Sequence, residues 1–449
     1  MGKNLTSAEY GIVGTIITII NFGYLFLNNG VRQAVSREIS LSAFNTIDII
    51  KKGIIIQGGI VILAVSITLS GSYPLSNFMQ DTSLSPYISM TAAIIPFMGI
   101  YFAMLGVFNG LKNFKIEATI LIIYPVLKLC VIPLVHWGNH AVLDVEYGFL
   151  GAGVLIMCIC IIVFFIIRPT LPAGNTKKIA WSVFLKESLS FSSIFIATSV
   201  IMNIDLLIVK SNVSQDAEVG YYTGAVNFAK IPYYLLTAVF LVLLPVISSY
   251  YSAEKIEEAK KATQNILITI SATVVPIVVM VCCSARKLLQ VFYKPEYIQA
   301  GKALIYLMTG TFFLGMTVLL NMVISPINKK VFTTLLSMGM LLCDLTLCLI
   351  LTPMKGFEGA AVSNLCATGI AFLLSLFYLT RHLGNIFDNK IVKNMVISLF
   401  FGLLLFLFVN HFEIRNIMQL TLLYGFVFTC QLVVETVLKT INIKELIKN

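Results

Sequence analysis

Two lysines, Lys128 and Lys230, and two aspartates, Asp205 and Asp344, sit deep inside long apolar runs of this chain. A charge placed there is costly unless it faces a cavity, a ligand or an opposite charge. Each therefore marks a point where the chain binds something ionic or pairs with itself. Lys230 lies about ten residues into the run that begins at Gly220, and Asp205 about five before the end of the preceding run, so the two reach a similar depth. Asn227, three residues before Lys230, shares its helical face. His136 and His140 are four apart with no third ligand, so no metal site is expected. No phosphate loop, nucleophile elbow or paired-acid motif occurs, so neither an enzyme centre nor a cofactor is expected.

The elements that must position these charges are read from composition. Of 449 residues 58% are apolar and 12% charged, and the mean hydropathy is +0.92. That is the balance of a multi-pass membrane protein, with runs long enough for spanning helices, which need about 20 residues. Thirteen runs are expected to span, at 10–30, 52–70, 87–109, 117–137, 147–167, 188–210, 220–247, 263–284, 302–325, 331–352, 357–380, 391–410 and 416–438. Prolines at 96, 125, 133, 232, 245 and 276 interrupt them and can kink or hinge a helix.

The intervening loops carry Lys and Arg in alternation, 21 on one side and 8 on the other, with Lys128 and Lys230 left in mid-span. The richer side is cytoplasmic, and with it the C-terminus. The net charge of +10 is thus topological and gives no reason to expect a nucleic-acid partner; membrane lipids are its natural counterpart. The nine cysteines lie in or at the ends of apolar runs without zinc-type spacing and read as small core residues.

Two marks recur at nearly one offset. Ala8-Glu-Tyr-Gly11 returns as Ala217-Glu-Val-Gly220, and Gly148-Phe-x-Gly-Ala152 as Gly356-Phe-x-Gly-Ala360. Duplication in an apolar chain is the pattern of secondary transporters. It divides the chain into a lobe of five helices at 1–168, a lobe of six at 169–385 and an extra helix pair at 386–449. The second mark-bearing lobe has a span before its Ala-Glu-x-Gly and the first does not. The expectation is an all-α bundle of two pseudo-symmetric six-helix lobes plus a C-terminal pair, here with its first helix missing. In the repeat, Asn21 corresponds to Lys230.

The segment Leu5-Thr-Ser-Ala-Glu-Tyr-Gly11, with Asn29-Gly30 and Ala34-Val-Ser-Arg-Glu38 after it, resembles the polysaccharide transporters, the flippases of O-antigen and lipid-linked oligosaccharide. Asn203-Ile-Asp-Leu-Leu-Ile-Val-Lys210, Glu218-Val-Gly-Tyr-Tyr222 and Lys355-Gly-Phe-Glu-Gly-Ala-Ala361 are similar to later segments of the same family. The resemblance implies a fourteen-helix carrier that moves an undecaprenyl- or dolichyl-linked glycan across the membrane by alternating access. Membrane lipids and glycan-assembly enzymes would be its partners, and the coupling ion, H+ or Na+, is open. Such a carrier needs buried cations for the lipid-linked phosphate. Lys230, with Asn227, Asp205 and Asn21, is the first candidate; a structural pair with Asp205 and a snorkelling lysine are the alternatives. Arg32 and Arg37, at the cytoplasmic end of a span, would meet the phosphate first or serve only as orientation charges. Lys128 and Asp344 fall on corresponding helices and would form a gating pair between lobes or separate polar contacts within them.

Two other functions compete. A cation-coupled multidrug antiporter would have twelve helices and acids in the first lobe, yet 10–30 and 52–70 contain none. A membrane glycan polymerase or ligase would need a large outer loop with arginines and a catalytic acid or histidine, and the longest outer loops have about 15–18 residues.

Overall fold

A computed structural model describes residues 5–41, 44–130, 133, 141–168, 177–213, 215–237, 250, 255–324, 330–412, 414 and 416–441. His136, His140, Pro245 and the far ends of the expected spans 117–137 and 220–247 lie outside the described residues. Every regular element among the described residues is helical: α1 (Ser7–Phe26), α2 (Arg32–Leu41), α3 (Thr46–Phe78), α4 (Ser85–Thr91), α5 (Ile95–Gly110), α6 (Phe114–Leu129), α7 (Ala141–Ile167), α8 (Trp181–Asn212), α9 (Asp216–Ala229), α10 (Ile256–Phe292), α11 (Gly301–Ile324), α12 (Lys330–Lys355), α13 (Phe357–Leu383), α14 (Asn389–His411) and α15 (Ile417–Val437), with short turns of other helical pitch between some of them. Each of the thirteen expected runs contains a helix. Among the described residues nine helices are long and apolar enough to span, or ten if the bent pair Thr82–Thr91 and Ile95–Gly110 is one span.

The breaks have local causes. The 42° bend before α5 lies next to Pro96, whose missing N–H and bulky ring interrupt the ladder. Leu27–Val31 winds as a wide π turn between α1 and α2, and Gln57 donates to the carbonyls of Leu27 and Gly99 there, at 3.1 and 3.2 Å. Helix α10 contains Pro276, yet its non-helical residue is Ser284 (φ −119°, ψ 17°), whose hydroxyl donates to Met280 O and meets the Tyr424 hydroxyl.

Contacts gather the chain into two compact units, Lys3–Gly220 and Tyr221–Asn449. Helix α8, assigned by the repeat to the second lobe, packs along α1 in the first unit; division by contact falls after Gly220, division by repeat after Arg168. In that unit α5 packs on α2, α3 and α7. One apolar cluster joins Val35, Ile49, Val107, Ile179 and Phe184, and another joins Ile19, Met79, Leu84, Ile88 and Leu207. In the second unit α11 and α12 both pack on α13, and α10 packs on α14.

The first repeated mark is a helix start. Thr6 caps α1 by accepting from Glu9 N at 3.2 Å, and the Glu9 carboxylate accepts from Thr6 N at 2.8 Å, a capping box that satisfies two otherwise unpaired N–H groups. The glycines of the two copies face each other. A Cβ on Gly11 would lie 2.8 Å from Gly220 N, and one on Gly220 would strike the Ser7 carbonyl. The second mark is not equivalent in its two copies: Gly148 lies inside α7, whereas Gly356, with φ +59°, precedes α13 in a conformation that favours glycine. Gly220→Val should therefore destabilise the protein by on the order of 2–4 kcal/mol in thermal melts of the purified chain, because backbone must move. Gly59→Ala, where no neighbour lies within 4 Å, should leave the melt unchanged or raise it.

Candidate functional site

Polar side chains are spaced along the interior of the first unit from one end to the other. At one end Gly106 and Gly110 let α5 approach the backbone of Arg32 and Ser36. That approach brings Ser36 Oγ within 2.5 Å of Asn109 Oδ1. Asn109 in turn donates to Glu117 Oε2 at 2.5 Å, and Arg32 Nη2 donates to Glu117 Oε1 at 2.9 Å while its Nη1 donates to Asn28 Oδ1 at 2.8 Å. The Arg32 charge is thus committed to Glu117. Arg37 is about half exposed, with Glu38 Oε1 at 3.8 Å. Nearby, Lys52 is buried against Asp48 at 2.8 Å and donates to Ile179 O, while Ile179 N donates to the same aspartate at 3.1 Å. This clamp holds the segment leading into α8 on the start of α3.

Midway, Asn21 Nδ2 donates to Asn203 Oδ1 at 3.2 Å, and Asp205 is buried two residues further along α8. Aromatic rings run beside them: Tyr24 meets Phe102 at 5.5 Å between centroids, Phe102 meets Tyr101 at 5.1 Å, and Tyr101 meets Tyr124 at 5.3 Å. Lys128 lies at the end of this run. Its Nζ is 4.6 Å from the Tyr124 ring centroid and 4.9 Å from that of Phe149. Ring faces attract an ammonium but do not cancel its charge. Among the described residues Lys128 has no carboxylate within ion-pair distance, whereas Arg32, Lys52 and Lys210 each have one.

At the other end Lys210 Nζ is 2.9 Å from Asp81 Oδ2 and also meets Asp216 Oδ1. Burial pushes the Asp81 carboxyl up, but the hydrogen bond and charge of Lys210 and the bonds from Ser83 outweigh it and hold the group below the usual carboxylate range. A carboxyl whose folded-state value is depressed contributes stability at neutral pH that is lost as pH falls through that value. Asp81→Asn should lower the melting temperature at neutral pH, and the gap from the native chain should close on acidification below about pH 4, the ordinary aspartate value. An equal gap at every pH would remove the Asp81 charge from the contact.

In the second unit Lys230 is half-buried at the break between α9 and the helical stretch 231–237, with Asn227 exposed one turn earlier. Thr311 donates to the carbonyl of Ala229 at that break, next to Pro232. Asp344 is fully buried on α12. The structure thus joins Asn21 to the Asn203–Asp205 stretch and sets Lys230 beside Asn227. Sequence reasoning passed over Glu117, Glu146 and Glu435, all buried acids at or inside apolar runs. The criterion that singled out Lys128 applies equally to them. Glu117, the partner of Arg32, and Asp81, one of the two partners of Lys210, carried no local signal, lying 85 and 129 residues away.

Helices of this length and apolarity make the chain a multi-pass membrane protein, and its fold is similar to that of solved membrane transporters. The lipid II flippase MurJ, in an inward closed conformation, matches 95% of this chain over 97% of its own, with 15% identity and a TM-score of 0.68. A multidrug resistance MATE family transporter of the MOP superfamily, inward-facing, matches 84% over 92% of its own chain, with 13% identity and a TM-score of 0.67. A MOP superfamily transporter from Pyrococcus furiosus matches 84% over 88%, with 14% identity and a TM-score of 0.56. No curated protein matches the sequence. The sequence pattern of one family covers residues 3–301, and the chain belongs to that family, described as Polysaccharide biosynthesis protein. These solved neighbours are carriers rather than enzymes, in line with the reading of the motifs.

Proposed function

We propose that the chain carries a lipid-linked oligosaccharide across the cytoplasmic membrane by alternating access, with its C-terminus in the cytoplasm. The observation that carries this reading is Lys128, a cation on a membrane helix that rests on aromatic faces while the other buried cations of its unit are neutralised by acids. A lipid-linked sugar supplies what such a site lacks. Its phosphate compensates the ammonium, and its pyranose faces stack on rings such as the partly exposed Tyr124. An uncompensated cation is a poor receptor for the cationic compounds that a multidrug antiporter would export. Lys230 with Asn227 offers a second phosphate contact in the other unit. On this reading Lys128 binds the substrate instead of gating against Asp344.

Lys128→Ala should reduce translocation of a lipid-linked oligosaccharide by reconstituted protein about 10–100-fold, the equivalent of one charge-assisted contact. Lys128→Arg should keep most of it. The native rate in Lys128→Ala, with protein present and folded, would overturn the assignment. Translocation of a cationic dye with none of a lipid-linked sugar would favour the antiporter.

A further inference from the structure

The C-terminal helix pair contains a polar cluster with no part in the proposed transport site. Asn394 and Ser398 on α14, Gln431 and Glu435 on α15 and Ser271 on α10 are all at most 1% exposed. Asn394 Nδ2 donates to Ser271 Oγ at 3.0 Å and toward Ile268 O at 3.5 Å, and the Ser271 hydroxyl donates to Ile268 O at 2.7 Å. Gln431 Nε2 donates to Ser398 Oγ and to Glu435 Oε1, each at 2.8 Å, and the Ser398 hydroxyl donates to Asn394 O at 2.8 Å. Every donor of the five side chains is thereby used.

Three oxygens remain: Asn394 Oδ1, Gln431 Oε1 and Glu435 Oε2 are buried and have no hydrogen-bond partner among the described residues. Turning either amide over exchanges an oxygen for a nitrogen but adds no hydrogen, so the shortage does not depend on how the amides are oriented. Because α14 and α15 run antiparallel, Asn394 lies at the depth of Glu435 and Ser398 at that of Gln431. Buried acceptors without donors are costly, and a carboxylate among them more so. A proton on Glu435 Oε2 would make that oxygen a donor to one of the two amide oxygens and leave the other unmet. A hard metal ion accepts several oxygen ligands at once and could meet what a single proton leaves unmet.

We propose that Asn394, Gln431 and Glu435 form a binding site for a monovalent alkali cation, which fastens α14 and α15 to α10. One carboxylate with two neutral carbonyl oxygens balances a single positive charge, and an all-oxygen donor set suits a hard ion over a transition metal. The site is independent of the glycan reading, because its occupancy is read by stability instead of transport.

The test is thermal unfolding of the purified full chain at fixed pH and ionic strength, in sodium, lithium or potassium chloride against N-methylglucamine chloride. At least one alkali salt should raise the melting temperature by about 2–6 °C and do so saturably. Glu435→Gln, whose amide supplies hydrogens to the same acceptors, should melt at one temperature in all the media. Asn394→Ala, or direct binding of radiolabelled sodium to the native chain by scintillation proximity, gives a second readout should Glu435→Gln fail to fold; both Asn394→Ala and loss of the carboxylate should abolish binding. Indifference of the native chain to all three alkali ions would overturn the proposal. So would an undiminished response in Glu435→Gln.

Discussion

The bilayer core supplies neither water nor counter-ions, so each backbone group and each charge inside it has to be met by the chain or by something the chain binds. Helices satisfy the backbone, which is why every regular element among the described residues is helical. The charges are met one by one. Arg32 is paired with Glu117, Lys52 with Asp48, and Lys210 with Asp81 and Asp216. Among the cations, Lys128 is seated on two rings with no carboxylate at ion-pair distance among the described residues, and it is there that an anionic ligand would complete the structure.

Close helix approach makes those pairings attainable. Without a hydrophobic force between lipid-facing helices, small residues that bring backbones together are what lets side chains reach across. Gly106 and Gly110 admit α2, and the contact sets Ser36 on Asn109 and Arg32 on Glu117. Gly11 and Gly220 do the same near the start of α9, the helix that also carries Asp216. Packing and electrostatics are therefore not separable terms here. Widening either contact would strand a charge as well as open a gap.

Much of the architecture was legible from hydropathy alone, because a spanning run of about 20 apolar residues is a strong local signal. Each expected run contains a helix, and the Ala-Glu-x-Gly mark proved to be a capped helix start with a close-packed glycine. Partners were less legible. The Arg32 to Glu117 bond joins residues 85 apart and the Lys210 to Asp81 bond residues 129 apart, and nothing in either local sequence selects the other. Lys210 read as an orientation charge because it ends a run; its burial between two acids depends on how α8 lies along α1. The bend at Pro96 was readable, but the irregular residue of α10 is Ser284 rather than Pro276, since a hydroxyl bonded within its own helix and meeting α15 can distort a ladder as well as a proline can.

The same reasoning separates the two sites by sign. At Lys128 a positive group lacks an anion, whereas at Glu435 the donors are exhausted and acceptors remain. A phosphate satisfies the first and cannot enter the second, which already carries a carboxylate. A small cation satisfies the second and is repelled from the first. Two ligands of opposite charge can therefore be held in one chain without competing for a position. Their surroundings also differ, because Lys128 lies on α6 beside a run of aromatic rings, while Glu435 belongs to a polar cluster whose bonds Asn394–Ser271 and Gln431–Ser398 link α10, α14 and α15.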